Sequence, residues 1–169
     1  MFVVDDNFVG NRRRCRDLLH AMIAWRARTG ARMTFLTEAS VDMAGDHETL
    51  ELMVAAGFKK VFVGLETPSL ESQRECRTLQ NLRGDLADAV RTLQAAGLEV
   101  MGGFIVGFDS DREDIFERQF EFIQRTGVVT AMVGLLQALP SSRLSRRLAA
   151  EGRLDSDSGR DNTCAAVNF

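Results

Sequence analysis

The sequence predicts an α/β fold, a partial (β/α) barrel of about five consecutive parallel strand–helix units. Three observations carry that reading. Gly30, Gly57, Gly97, Gly127 and Gly152 each follow a stretch with helical apolar spacing, where a left-handed C-cap belongs. Most of these glycines are soon followed by a short, β-prone apolar run. The runs are continuously rather than alternately apolar, which predicts strands buried on both faces and joined by right-handed helical crossovers.

Phe2-Val3-Val4 opens the chain as a strand, and the basic run Arg12-Arg13-Arg14-Cys15-Arg16 reads as the solvated first turn of a helix. A second strand is expected over Met33 to Thr37 and a third over Lys60 to Leu65. The third unit is the longest and leaves room for an extra short helix over Leu70 to Cys76, introduced by Pro68. The main helix of that unit runs from Asp85 to Ala96, with Leu86, Ala89, Val90 and Leu93 on one face. A fourth strand follows over Val100 to Val106. Ser110-Asp111-Arg112-Glu113 then has the spacing of a capping box, and Phe116, Phe120, Phe122 and Ile123 read as a helix face packed on the sheet. Val128 to Leu136 is the fifth strand. Residues 1–153 therefore read as the barrel portion, and 154–169 as a polar linker or the start of a further region, with an apolar pattern resuming at Ala165.

An open doubly wound sheet is the competing arrangement. Its dinucleotide-binding form needs Gly-x-Gly-x-x-Gly after the first strand, and the turn here is Asp5-Asp6-Asn7-Phe8-Val9-Gly10, so the barrel arc is preferred. A full (β/α)8 barrel takes about 250 residues. The 169 residues are thus expected to be a piece of a longer protein, or to cover their open sheet edges by pairing with another copy.

Composition narrows the function. The chain is 45% hydrophobic and 27% charged, which supports a real core and argues against disorder. A net charge of −3 exerts no general pull on nucleic acid, and no partner of that class is expected. No apolar run is long enough to span a membrane, and a cytoplasmic location is expected. Cys15, Cys76 and Cys164 are too widely spaced for zinc or iron–sulfur ligation, and His20 and His47 lack a partner at metal-ligand spacing.

Polar residues at the C-terminal ends of barrel strands face the active-site mouth. That rule singles out Asp5, Asp6 and Asn7 after the first strand, Thr37 and Glu38 after the second, Glu66 and Thr67 after the third, Asp109 after the fourth and Gln137 after the fifth. Such a ring can bind a hard cation, exchange protons, or hold the hydroxyls and ammonium of a polar ligand. Residues 5–7 equally suit a helix cap, and Asp109 a turn. Glu66 ends an apolar strand and needs a partner if enclosed. Gly102, Gly103 and Gly107 cluster on one strand, which marks either close approach of a flat ligand or a bulge and tight packing.

Four stretches in this order, Val4-Asp5-Asp6-Asn7-Phe8, Gly64-Leu65-Glu66-Thr67-Pro68, Gly103-Phe104-Ile105-Val106-Gly107-Phe108-Asp109 and Gly134-Leu135-Leu136-Gln137-Ala138-Leu139-Pro140, resemble the radical S-adenosylmethionine (SAM) enzymes. Within them the chain is most similar to the group with a cobalamin-binding domain. The resemblance covers nearly the whole chain and implies a partial (β/α)6 barrel that holds SAM across its strand ends above a 4Fe-4S cluster, with this chain supplying strands two to six. By position, Asp5, Asp6 and Asn7 stand where the family holds the methionine amino group, and Glu66 where it contacts the ribose. Gly103, Ile105 and Gly107 match the family's Gly-x-Ile-x-Gly motif beside adenine. Thr37, Glu38 and Gln137, from the other strand ends, complete the expected cofactor-binding set.

Two positions depart from the family. Asp-Asp-Asn replaces the commoner Gly-Gly-Glu, and Ser110 stands where an acidic residue is often found. The cluster motif Cys-x-x-x-Cys-x-x-Cys is absent from the 169 residues, so the chain alone is expected to be inactive. In the full-length protein the resemblance implies reductive SAM cleavage and radical modification, with cobalamin-dependent methylation of a small-molecule or lipid-like substrate. Two other classes stay open: a non-catalytic binding or assembly module, and a metal-dependent barrel enzyme using Asp5, Asp6 and Glu66.

Overall fold

The computed structural model describes residues 1–76, 84–155 and 168–169. Strands β1 (Phe2–Val3), β2 (Phe35–Ala39), β3 (Phe58–Glu66), β4 (Glu99–Val106) and β5 (Thr130–Leu135) form one sheet in sequence order, every neighbouring pair parallel. The crossovers contain α1 (Arg12–Thr29), a 3-10 turn (Val41–Gly45) with α2 (His47–Ala56), α3 (Leu70–Cys76) with α4 (Leu86–Ala95), and α5 (Ile115–Thr126). Helix α6 (Arg143–Ala150) follows β5. Sequential order with crossovers of one hand places the helices on one side of the sheet, as in an arc of a barrel. A doubly wound sheet would reverse its strand order at a switch point, and this one does not.

Helix boundaries follow local chemistry. Asn11, Asp46, Asp85 and Ser142 cap α1, α2, α4 and α6 by accepting hydrogen bonds from backbone amides in the first turn. The five glycines expected at helix ends all have positive φ. The expected helix over residues 70–76 is present as α3.

Several expectations are corrected. β2 lies two residues later than the predicted 33–37, because Phe35 and Ala39 are the side chains that reach the core. Ser110 does not start a capped helix: its hydroxyl donates to Glu75 Oε2 at 2.7 Å, and α5 begins at Ile115 without a side-chain cap. On α5 the core stripe is Ile115, Gln119, Phe122 and Thr126, whereas Phe116 and Phe120 are exposed on its flank. The basic run is not merely solvated. Arg12 pairs with Asp42 and Asp46, both at 3.1 Å, and Arg16 with Asp46 at 2.8 Å and Glu48 at 2.6 Å, clasping α1 to the start of α2. Burial works against the Asp46 carboxylate, but the Thr49 hydroxyl and amide and the Arg16 guanidinium outweigh it and hold the carboxyl below its ordinary range.

The largest correction concerns the sheet faces. Burial alternates along the central strands, with Phe35, Thr37 and Ala39 of β2, Val61, Val63 and Leu65 of β3, and Val100, Phe104 and Val106 of β4 buried. On that face they join Leu19, Leu50, Met53, Val90, Leu93 and Phe122 in one core. The opposite face carries Leu36, Glu38, Phe62, Gly64, Met101, Gly103 and Ile105, all only half-buried. The runs read as continuously apolar because a barrel's inner face is apolar too, although among the described residues no element packs across it. The linker expected over 154–169 falls mostly outside the described residues. Asn168 is buried and hydrogen-bonds the Ala138 amide at 2.8 Å, while its carbonyl accepts from the Asp155 amide.

Candidate functional site at the open face of the sheet

The site is built where β3 and β4 end. The β3–β4 register shifts between Gly64 and Glu66, and Glu66 adopts φ +62°, a left-handed conformation costly for a residue with a Cβ. The Thr67 amide donates to the Leu65 carbonyl at 2.8 Å, closing a three-residue turn centred on Glu66. Turns of this kind with a positive central φ are rare and strained. The bend turns the Glu66 side chain back along the open face, where Oε1 would lie 2.6 Å from a Cβ at Gly64. Gly64 is thus the space the carboxylate occupies. Burial raises the Glu66 pKa, as expected for a carboxyl withdrawn from water.

The two glycines of β4 have different reasons. Gly102 faces the helix layer, where a Cβ would meet the Phe104 ring at 2.8 Å and Leu65 Cδ1 at 3.1 Å. Tight packing accounts for it. Gly103 faces the open side, and a Cβ there would meet the Phe62 ring at 2.8 Å. Gly103 leaves the space that the tip of the Phe62 ring occupies, on the same face as Gly64. Ile105 lies on the same face, and its carbonyl accepts from Gln119 Nε2 at 2.9 Å. Gly107 follows β4 at φ +106° and donates its amide to Asp111 Oδ2 at 2.8 Å.

The other predicted site residues are placed as follows. Asp5 and Asp6 are exposed in the turn after β1. Asp5 Oδ1 accepts from the Asn7 amide at 2.9 Å, and Asn7 Oδ1 accepts from the Ser40 amide at 3.1 Å, bridging the loops after β1 and β2. None of the three caps α1, since Asn11 does so. Thr37 is not at the rim: it is fully buried on the helix side, with Oγ1 donating to the Val3 carbonyl at 3.0 Å. Glu38 lies within β2 on the open face, level with Phe62. Gln137 is half-buried in the loop after β5. Asp109 is held by Arg147 at 2.9 Å and by Arg153, which keep its carboxyl below the ordinary range; the hydrogen bond from Arg153 is the main cause.

The metal-dependent alternative is not met. Among the described residues no group of three His, Cys, Asp or Glu side chains could hold a metal ion, so Asp5, Asp6 and Glu66 do not form a cation site. Sequence reasoning missed the network that fixes the rim. Ser72, Gln73, Glu75 and Asp111 bind the loops after β3 and β4 to each other. The available signal was the Asp-Ser-Asp after Gly107, whose second aspartate is placed to accept the preceding amides.

The arc thus carries a strained, carboxylate-bearing turn at the end of β3, on the face away from the helix-side core. No family model matches the sequence. Two curated relatives do. An uncharacterized methyltransferase of Synechocystis is 42% identical over 100% of this chain and 32% of its own length. The hopanoid C-2 methylase of Rhodopseudomonas palustris is 38% identical over 96% of this chain and 31% of its own. The chain therefore spans about a third of the length of these relatives. Among solved structures, the radical SAM methyltransferase TsrM from Kitasatospora setae, with cobalamin and a [4Fe-4S] cluster bound, superposes with a TM-score of 0.73 at 16% identity, over 89% of this chain and 28% of that one. Methylornithine synthase (PylB) matches with a TM-score of 0.53 at 18% identity, over 90% of this chain and 48% of that one. The likeness to the two solved structures is one of fold, and the likeness in sequence is to the two curated relatives. Among the described residues no helix is long and apolar enough to cross a membrane.

Proposed function

We propose that this chain forms most of the SAM-binding barrel of a radical SAM methyltransferase, with the nucleoside of SAM on the open sheet face. The observation that carries the reading is Glu66, a carboxylate turned back over Gly64 by a strained turn and partly withdrawn from water. Two acceptor oxygens presented this way suit the paired hydroxyls of a ribose. Gly103, Ile105 and Gly107 border the place where adenine would lie. Asp5 and Asp6, exposed after β1, offer carboxylates for the methionine ammonium, and Asn7 fixes their loop through Ser40. Glu38 and Gln137 flank the same opening, whereas Thr37 supports β1 from behind.

A 4Fe-4S cluster does not fit the residues of this chain. Cys15 is buried in the helix-side core, and burial pushes its thiol up to about 11, against the thiolate that iron requires. Cys76 closes α3, Cys164 lies outside the described residues, and the three do not have ligand spacing. Cluster thiolates would come from outside these 169 residues, as would a cobalamin-binding domain, and relatives about three times as long leave room for both. When bound, such a cluster supplies the electron for SAM cleavage; this chain's part is to bind and orient the nucleoside and to shield it from water. The named activity of the 38% identical relative supports a hopanoid as the methyl acceptor.

Calorimetric titration of the chain with SAM tests the reading. We expect saturable binding weakened at least about tenfold by Glu66→Gln, a loss of about 1.4 kcal/mol. No binding, or binding indifferent to Glu66, overturns the site. The chain with dithionite and iron should release no 5′-deoxyadenosine, and its appearance would overturn the assignment of the cluster to other residues.

A further inference from the structure

The seven-residue helix α3 stands between the Glu66 turn and the Gly107 turn and binds both. Gln73 Nε2 donates to the carbonyl of Thr67, next to Glu66, at 2.8 Å. Its neighbour Ser72 donates from Oγ to Asp111 Oδ1 at 2.6 Å. The other oxygen of that carboxylate, Oδ2, accepts the amides of Gly107 at 2.8 Å and Phe108 at 3.0 Å. Ser72 is fully buried, Gln73 is 3% exposed and Thr67 is fully buried. Polar groups enclosed to this degree are costly to leave unpaired, so the bonds of this chain have few alternatives. One helix turn later Glu75 accepts the amides of Asp109 at 3.2 Å and Ser110 at 2.9 Å, anchoring α3 a second time to the same loop.

We propose that α3 is a positioning strut: through Gln73 on one side and the Ser72–Asp111 bond on the other, it sets the spacing between the Glu66 carboxylate and the Gly107 end of β4. The role rests on the nucleoside reading of the open face. Asp111 and Ser72 touch no ligand in this scheme; they fix the two walls between which one would lie. A strained turn at Glu66 reverts to relaxed conformers unless its surroundings over-determine it, and Gln73 supplies that restraint from behind.

Two measurements on the full chain separate the strut from the site it serves. The first needs no ligand. Residue-resolved amide hydrogen exchange of Ser72→Ala is expected to speed at Gly107 and Phe108 and also at Glu66, Thr67 and Ser69, with the β2 and β4 core amides unchanged. Faster exchange on only one side of α3, or none, overturns the coupling. The second uses 5′-methylthioadenosine, which presents the nucleoside without the amino acid. Asp111→Ala is expected to weaken its binding about tenfold, with Asp111→Asn losing much less because the amide oxygen still accepts from Gly107 and Phe108. Equal loss in both variants, or none in either, overturns the positioning role. If the native chain fails to bind 5′-methylthioadenosine, the nucleoside reading falls, and the exchange experiment still decides whether α3 couples the two turns.

Discussion

Gly102 and Gly103 are adjacent, yet the structure assigns them opposite costs on substitution. A methyl at Gly102 would press on the Phe104 ring at 2.8 Å and Leu65 Cδ1 at 3.1 Å, and both are buried, 2% and 0% exposed, in the helix-side core. Neither has free volume to enter. Overpacking of this kind costs about 1–3 kcal/mol. Taking about 2 kcal/mol, Gly102→Ala should lower the melting temperature by about 4–8 °C in a chain of this size. A methyl at Gly103 meets the Phe62 ring at the same 2.8 Å, but Phe62 lies on the uncovered face and its ring can swing outward. Alanine also recovers about 0.5–1 kcal/mol of the conformational freedom glycine loses in a strand. Gly103→Ala should therefore change stability by less than about 0.5 kcal/mol while displacing Phe62 across the candidate nucleoside site. Urea denaturation of both variants is the assay. Phe104→Leu provides the internal control, since Gly102→Ala combined with it should lose about 1 kcal/mol less than the two singles summed. A Gly103→Ala loss equal to or larger than that of Gly102→Ala would refute the reasoning, because it would mean that the open face is packed as rigidly as the core.

Glu66→Gly should raise stability at neutral pH, since it relieves a left-handed conformation worth about 1–2 kcal/mol and removes a partly buried charge, while abolishing the proposed ribose contact. Denaturation and SAM titration of the same variant check both halves. Glu66→Gln isolates the charge. A carboxyl whose folded-state pKa is raised opposes folding when ionised, and that penalty fades as pH falls through the raised value; the variant should exceed the native chain in stability at pH 7 and match it in acid. Asp46→Asn should behave in the reverse sense. The lowered Asp46 pKa contributes stability present above the ordinary carboxylate range and lost as acid protonates it, so the variant, which keeps the cap but loses the arginine pairs, should cost about 1 kcal/mol at pH 7 and progressively less toward low pH.

The helix ends and the strand order were legible because they depend on local signals. A glycine at φ +68° after α1 and a glycine at φ +67° after α5 each follow an apolar period that any window of the chain displays. Sequential parallel order follows from repeating that unit, and α3 was visible as the surplus length of the third one. What the sequence withheld were contacts between distant residues. Asp46 caps α2, and nothing local says that Arg12 and Arg16, some thirty positions earlier, converge on it. Ser110 satisfied the capping pattern yet was taken by Glu75, 35 positions away. Thr37 was assigned to the rim because β2 was set two residues early, and a two-residue shift along a strand keeps the face while changing the height. Glu66 was picked out because it closes an apolar run; the positive φ that aims it is a property of the folded turn.

The division of the sheet into a covered and an uncovered face also explains where the strain sits. The helix-side face joins the buried residues of β2, β3 and β4 to α1, α2, α4 and α5 in a single core, and this supplies the stability of the arc. The uncovered face contributes little burial, so features that oppose folding can be placed there without dissolving the core: a left-handed glutamate, a carboxylate with a raised pKa, a ring laid over a glycine. The left-handed Glu66 and its raised carboxyl sit at the C-terminal end of β3, and the buried bonds of Gln73 and Ser72 reach that same corner. A purely structural chain would gain from relaxing these features. On the proposed reading, the Glu66 turn held by α3 serves a bound ligand, and substitutions there should change binding before they change stability.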